Sequence, residues 1–449
     1  MLEVALPDLA RGPSGRTADI RTSSCQLIVL SVLGWPIFTT EDSISMTGTR
    51  RAVMLGALTA VLTCAMLAIE AQRGYGSPLS RARTQNAYAL AYDLRFAAGH
   101  EALADAATAD PLDPAPQRAI AAVTWIEILF TQGVATFEAF TGEISKGDVA
   151  RPTTPPLLAA RFHDAIGEAR RLAEQQLAHA DDADARYQMG ATEALSALYR
   201  ATVEGRTLGA FNQGRRAVSE MERARERDGM KRETALVLGM SQYTISTMSW
   251  PVRTLARLSG LSGNREAGLA LLREAALPGA ETETDALLLL MIVDNREGRH
   301  TDALQRLEFL RRLHPRNRLL LLNSGATALA AGQAHEAEQL LSQGMTGHAW
   351  EAPPIVLGEQ ALWFTHRGTA RARLHRRSDA VADLRHGLTS DPRDWVRGRI
   401  HGQLGDLALA AGERARARQE LEVAVEFSER GGDRSAAKDA KVKLSALRP

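Results

Sequence analysis

Cysteine is almost missing from this chain. Cys25 and Cys64 are the only two in 449 residues, and both precede residue 72. The rest of the chain can hold neither a disulfide nor a thiolate metal site. Lysine is scarce too, at five residues (Lys146, Lys231, Lys438, Lys441 and Lys443), whereas arginine is abundant. A surface selected for phosphate contact usually mixes the two, so the skew reads as the signature of a GC-rich genome. Net charge is +1, so no global field draws in nucleic acid, and no nucleic-acid partner is expected. Catalytic patterns are missing as well. There is no HExxH, no phosphate loop and no nucleophile elbow, because Gly260-Leu261-Ser262-Gly263 runs on into Asn264 where the elbow needs glycine. The densest histidine group, His366, His375, His386 and His401, shows no ligand spacing, and these side chains are expected to be exposed or capping. No catalytic residue, metal site or cofactor is assigned.

What is present begins with apolar material, 45% of the residues, enough for one large core or several stacked small ones. Near the N-terminus Arg50 and Arg51 precede an uncharged apolar run of 18 residues, Ala52 to Ile69, with Ala68 and Ala71 as small residues close behind. This is the layout of a secretory signal peptide spanning 46–71, and the run is also long enough to remain as a membrane anchor. Export to the periplasm, or a tether facing it, is the expectation. Thr63 before Cys64 is bulkier than a lipidation site prefers. Residues 1–45 read as an extension ahead of a start at Met46.

Beyond residue 84 the pattern is largely helical, broken at 133–156 and at Trp250-Pro251. From Gly298 to Gly332 is 34 residues, and Ala303 and Leu307 recur as Ala337 and Leu341. Leu404-Gly405, Gly412, Ala417, Leu421 and Ala424 repeat the set, and Gly368, Ala380, Leu384 and Pro392 fall between, with His375 standing for the turn glycine. The offsets have a physical reason. Glycine at the turn permits the positive φ that joins two helices tightly. A small residue then lets the second helix approach the first, and a large apolar one fills the space toward the next unit. A single helix pair cannot bury its apolar face alone, so such pairs come in series.

This pattern resembles the tetratricopeptide repeat, a 34-residue helix–turn–helix unit. The resemblance implies an all-α, right-handed superhelical solenoid, with clear repeats over 281–430 and a degenerate region over 84–280. Residues 431–449 read as a polar capping helix. Within 84–280 the segments 84–109, 116–132, 156–180, 184–206 and 208–227 read as helices, with Asp184 as an N-cap and Pro251 kinking or restarting a helix. The loop 133–156 is longer than a compact domain tolerates without cause. Phe137 and Phe140 on it either contact a partner or pack against the solenoid and pin the loop, and the second is preferred. The stretches Arg371–Arg377 and Arg414–Arg418 read as solvated helix faces.

In the tetratricopeptide family the first helix of each unit lines a concave groove that grips a peptide or partner helix. Carried over to this sequence, the groove positions are Asp285, Asn295 and Arg296, then Thr365, Thr369 and Arg373, then Arg399 and Asp406. The intervening unit offers apolar groove positions, Leu319, Leu322, Ala326 and Leu329. The resemblance thus implies a non-enzymatic scaffold that binds a protein or peptide in the cell envelope. A solenoid holding a small ligand or glycan is the alternative. An enzyme with an unrecognised site in 84–260 comes third.

Overall fold

The computed structural model describes residues 77–134, 136–139, 153–346, 355–356 and 358–447. The export or anchor signal, and Phe140 with most of its loop, lie outside them. Tyr75–Pro449 form a compact unit of their own. It is all-α among the described residues, with eighteen α-helices. In chain order these are α1 (Pro78–Tyr92), α2 (Phe96–Ala109), α3 (Pro114–Thr131), α4 (Pro156–His179), α5 (Ala183–Tyr199), α6 (Thr207–Arg227), α7 (Thr234–Ser246), α8 (Trp250–Leu258) and α9 (Arg265–Ala275). They continue as α10 (Glu283–Arg296), α11 (His300–Leu313), α12 (Arg318–Ala330), α13 (Ala334–Thr346), α14 (Glu359–Arg373), α15 (Arg377–Thr389), α16 (Asp394–Ala410), α17 (Arg414–Arg430) and α18 (Arg434–Ala446). Each odd-numbered helix up to α7 packs on the next, α7 pairs with α9 past the inserted α8, and α10 to α17 pair in order. The result is a solenoid of eight helix pairs closed by α18. First helices of successive pairs also touch, α12 with α14 and α14 with α16, and they form the inner wall.

Turn glycines have the backbone that the sequence pattern requires. Gly298, Gly332 and Gly412 have φ of 73, 79 and 77°, and His375 takes the same region at 59°. Ala337, Leu341, Ala417 and Leu421 are fully buried. The fit is close: a β-carbon on Gly325 would run into Leu341, and one on Gly405 into Leu421. Gly344 opens the same kind of space for the buried Trp363 indole.

The N-terminal half differs from its sequence reading in detail. The segment 84–109 is two helices, broken where Leu94 takes a φ of 62°. The segment 184–206 ends its α-helix at Tyr199 and finishes as a π turn over Arg200–Glu204 before Gly205. Asp182, not Asp184, caps α5, accepting the Ala185 N–H at 2.9 Å, while Asp184 pairs with Lys231. Pro251 restarts a helix rather than kinking one, sitting in the first turn of α8.

Two features tie the solenoid across its width. Arg318, at the start of α12, donates to both oxygens of Glu359 at 2.6 and 2.8 Å, with both side chains fully buried. Its guanidinium lies 5.7 Å from the Phe130 ring of α3, so pairs two, six and seven meet there. Alongside, Asn317 donates to the Tyr92 carbonyl at 2.7 Å, and Leu319 packs with Phe96 and Phe130. Arginines join neighbouring pairs on the outside. Arg371 and Arg376 both reach Glu338 of the preceding pair, at 3.2 and 3.0 Å, and Arg377 reaches Glu413 of the next. The stretch 371–377 is therefore a set of inter-pair ion contacts and not a merely solvated face. Within 414–418, Arg416 pairs with Glu413 at 3.1 Å and Arg418 donates to the Leu447 carbonyl at 2.7 Å.

The Gly325–Leu341 contact gives a direct test of this packing. Leu341→Ala should cost about 2–5 kcal/mol and Gly325→Ala about 1–3 kcal/mol. In the double variant the added methyl group occupies space that the leucine vacates, so the combined cost should fall below the sum. Urea midpoints of the four proteins check this, and simple additivity contradicts it.

Candidate groove and its lining

The first helices of pairs five to eight, α10, α12, α14 and α16, enclose a concavity, and the chain places its own residues 136–139 inside it. These residues belong to the α3–α4 connection and include a 3₁₀ turn, Phe137–Ala139. Phe137 is buried beside Leu287 and Met291 of α10 and Ala326 of α12. Its backbone N–H donates to Asn323 Oδ1 at 2.9 Å. Glu138 is buried and accepts from Arg399 Nη1 of α16 at 2.5 Å, and His366 Nε2 of α14 lies 3.3 Å from its other oxygen. That second approach lacks hydrogen-bond alignment, and His366 Nε2 has no hydrogen-bond partner among the described residues. Arg399 also donates to Asp433 at 2.6 Å, which ties the segment to the cap of α18.

Burial alone would raise the Glu138 carboxyl. His366 and Arg399 beside it, with the Thr136 hydroxyl donating at 3.2 Å, outweigh burial and hold it down to about 2. Asp285 behaves in the opposite way: burial raises its carboxyl, and the hydrogen bond from the Tyr92 hydroxyl offsets this only in part.

Beyond Glu138 a cavity of about 360 Å³ remains open along the inner wall. Asn295, Arg296, Thr365, Thr369, Arg373, Arg399 and Asp406 all border it, as do Ala326 and Leu329. Asp285 does not. It sits at the first turn of α10, against Tyr92 of α1, because the N-terminal pairs curl back onto the middle of the solenoid. Leu319 and Leu322 also leave the groove, Leu319 for the N-terminal core and Leu322 for the core between pairs. Phe137 lines the cavity while remaining buried against the inner wall.

The polar groups differ in how far they are committed. Thr365 and Thr369 donate to the carbonyls four residues back, at 2.6 and 2.8 Å. Asp406 is paired with Lys443 at 2.7 Å. Arg373 donates to the Leu329 carbonyl and has no carboxylate partner among the described residues. Arg296 is exposed and has no partner among them at all. Asn295 is buried, donates to the Met291 carbonyl at 3.0 Å, and leaves its Oδ1 without a donor. His300 Nδ1, on the same rim, is also unpartnered.

Sequence reasoning missed Glu138, Asn323 and His366. His366 is buried against the inserted segment, contrary to the expectation of an exposed or capping histidine. His401 pairs with Glu420 at 2.7 Å, His386 is exposed, and the four histidines do not converge. Among the described residues no cluster of three histidine, cysteine, aspartate or glutamate side chains is placed to hold a metal ion.

No family model and no curated protein matches the chain. Solved structures do. Yeast Tom70 aligns over 88% of this chain and 87% of its own, at 13% identity and a TM-score of 0.36. Human IFIT1, solved as a dimer with PPP-AAAA, aligns over 79% and 69%, at 12% identity and a TM-score of 0.35. A tetratricopeptide repeat protein from Parabacteroides merdae ATCC 43184 aligns over 72% and 98%, at 11% identity and a TM-score of 0.29. At these scores nothing about ligand or partner carries over to this chain. The solenoid assignment stands on the helix pairs and turn glycines themselves.

Glu138 makes the seating of the inserted segment pH-dependent. Its carboxyl lies below the ordinary 4.5, so its charge stabilises the fold in full above that pH and the contribution is lost as pH falls toward 2. The gap corresponds to about 3 kcal/mol at ~1.4 kcal/mol per pH unit. Glu138→Gln should be less stable than wild type by up to that amount near neutrality, and the two should converge on acidification. Denaturant midpoints across that range check this, and a difference independent of pH contradicts it.

Proposed function

We propose that this chain is a non-catalytic scaffold and that its concave cavity receives a short segment of a protein partner. The observation that carries the reading is the uneven commitment of the cavity wall. Arg296 and Arg373 lack carboxylate partners among the described residues, and beside them the buried Asn295 Oδ1 lacks a donor. Buried polar groups are ordinarily satisfied, so an acceptor left over on a concave wall next to unpaired cations marks a place for a ligand. An extended segment with an acidic side chain meets all three needs. Its backbone N–H donates to Asn295, and its carboxylate pairs with the arginines in bidentate fashion.

A sugar polymer fits less well. Glycans are held by stacking faces, and among the described residues the only Phe, Tyr or Trp ring at this cavity is the buried Phe137. We also propose that the chain is exported or held at a membrane facing the periplasm. This rests on Arg50-Arg51 and the uncharged run Ala52–Ile69. Among the described residues no helix is long and apolar enough to cross a membrane.

One experiment addresses both. A C-terminally tagged chain is expressed from Met46 in its native host, crosslinked, fractionated and captured, alongside an Arg296→Glu/Arg373→Glu variant. The tagged chain should appear in the envelope fraction with a defined protein partner, and the charge-reversed variant should lose that partner. The same captured set from both chains contradicts the groove assignment. A tagged chain with an intact N-terminus in the cytosolic fraction contradicts the export assignment.

A further inference from the structure

We infer that the short helix α8 is a membrane-surface contact whose outer face rests in the headgroup layer of an anionic bilayer. From Ser249 to Leu258 every residue except Ala256 is exposed. Trp250, Leu255 and Leu258 are 71, 61 and 82% exposed, and Val252 is 43% exposed. At helical spacing Trp250, Pro251, Leu255 and Leu258 fall on one face, directed away from the single buried residue. Of this helix only Ala256 enters the core, while α7 packs on α9 directly and α8 stands outside their pairing. An apolar face that contributes nothing to the core, and is held in water, calls for an occupant.

Charge selects that occupant. Arg253 and Arg257 flank the apolar face, no acidic residue occurs between Ser249 and Asn264, and neither arginine side chain has a partner among the described residues. A second copy of this face would set arginine against arginine. The run Ala52–Ile69 would supply apolar surface but no anion. An anionic bilayer supplies both. Acyl chains take the leucines, the interface suits tryptophan, and lipid phosphates pair with the arginines. The inference is independent of the cavity and of what it holds.

The test uses residues 75–449, which form a compact unit without Ala52–Ile69. Sedimentation is measured with phosphatidylcholine vesicles, with and without about one-third phosphatidylglycerol. Wild type should sediment with the anionic vesicles. Trp250→Ser/Leu255→Ser/Leu258→Ser should lose binding about tenfold or more with unchanged circular dichroism, since these side chains leave the core untouched. Arg253→Ala/Arg257→Ala should abolish the preference for anionic over neutral vesicles. Absence of wild-type binding, or equal binding by the triple variant, overturns the proposal. So does a wild-type dimer in light scattering that the triple variant dissolves, which would make the face a self-interface.

Discussion

A single carboxylate, Glu138, joins the second helix pair to the last two across 261 residues of chain. It is buried and ionised, and it keeps that state because Arg399 and His366 reach it from two different first helices of the inner wall. Removing a charge from water is costly, so the segment that carries Glu138 stays seated only while both helices hold their relative positions. Those positions depend in turn on the stacking of α12, α14 and α16, which Arg318 and Glu359 lock from within. The concave surface is therefore not an open trough. Residues 136–139 of the chain itself occupy part of it, and beside them lies the cavity bordered by α10, α12, α14, α16 and α18.

This arrangement accounts for the unusual length of the α3–α4 connection. A helix pair of ordinary form needs a turn of a few residues. Here the chain leaves the pair, inserts Phe137 between α10 and α12, fixes Glu138, and returns at Pro156. The N-terminal pairs follow the same logic. Their curl brings Tyr92 to Asp285 and Arg118 to Glu281 at 2.7 Å, so the degenerate half of the solenoid braces the regular half.

What could be read in advance divides along physical lines. Helix pairing and turn positions depend on neighbours a few residues apart, and Gly298, Ala337 and Leu341 declare them directly. Asn295, Arg296, Thr365, Thr369, Arg373, Arg399 and Asp406, which the tetratricopeptide resemblance implied as groove positions, border the cavity. Asp285 failed because its position is set by the curl of the N-terminal pairs, a sum of small rotations over many repeats. Glu138 was invisible for the same reason: nothing near residue 138 in sequence hints at Arg399. The stretch Arg371–Arg377 was misjudged because its partners sit one repeat away, at Glu338 and Glu413, where no local pattern marks them.

Residues 136–139 occupy the groove in the folded protein. The Phe137 amide reports it most directly, since its only route to protection is the hydrogen bond to Asn323 Oδ1 on α12. Hydrogen exchange at that amide should be slowed to the level of the surrounding helices, and Asn323→Ala should release it. Exchange at Phe137 as fast as in an open loop, in the wild-type chain near neutral pH, would contradict the account.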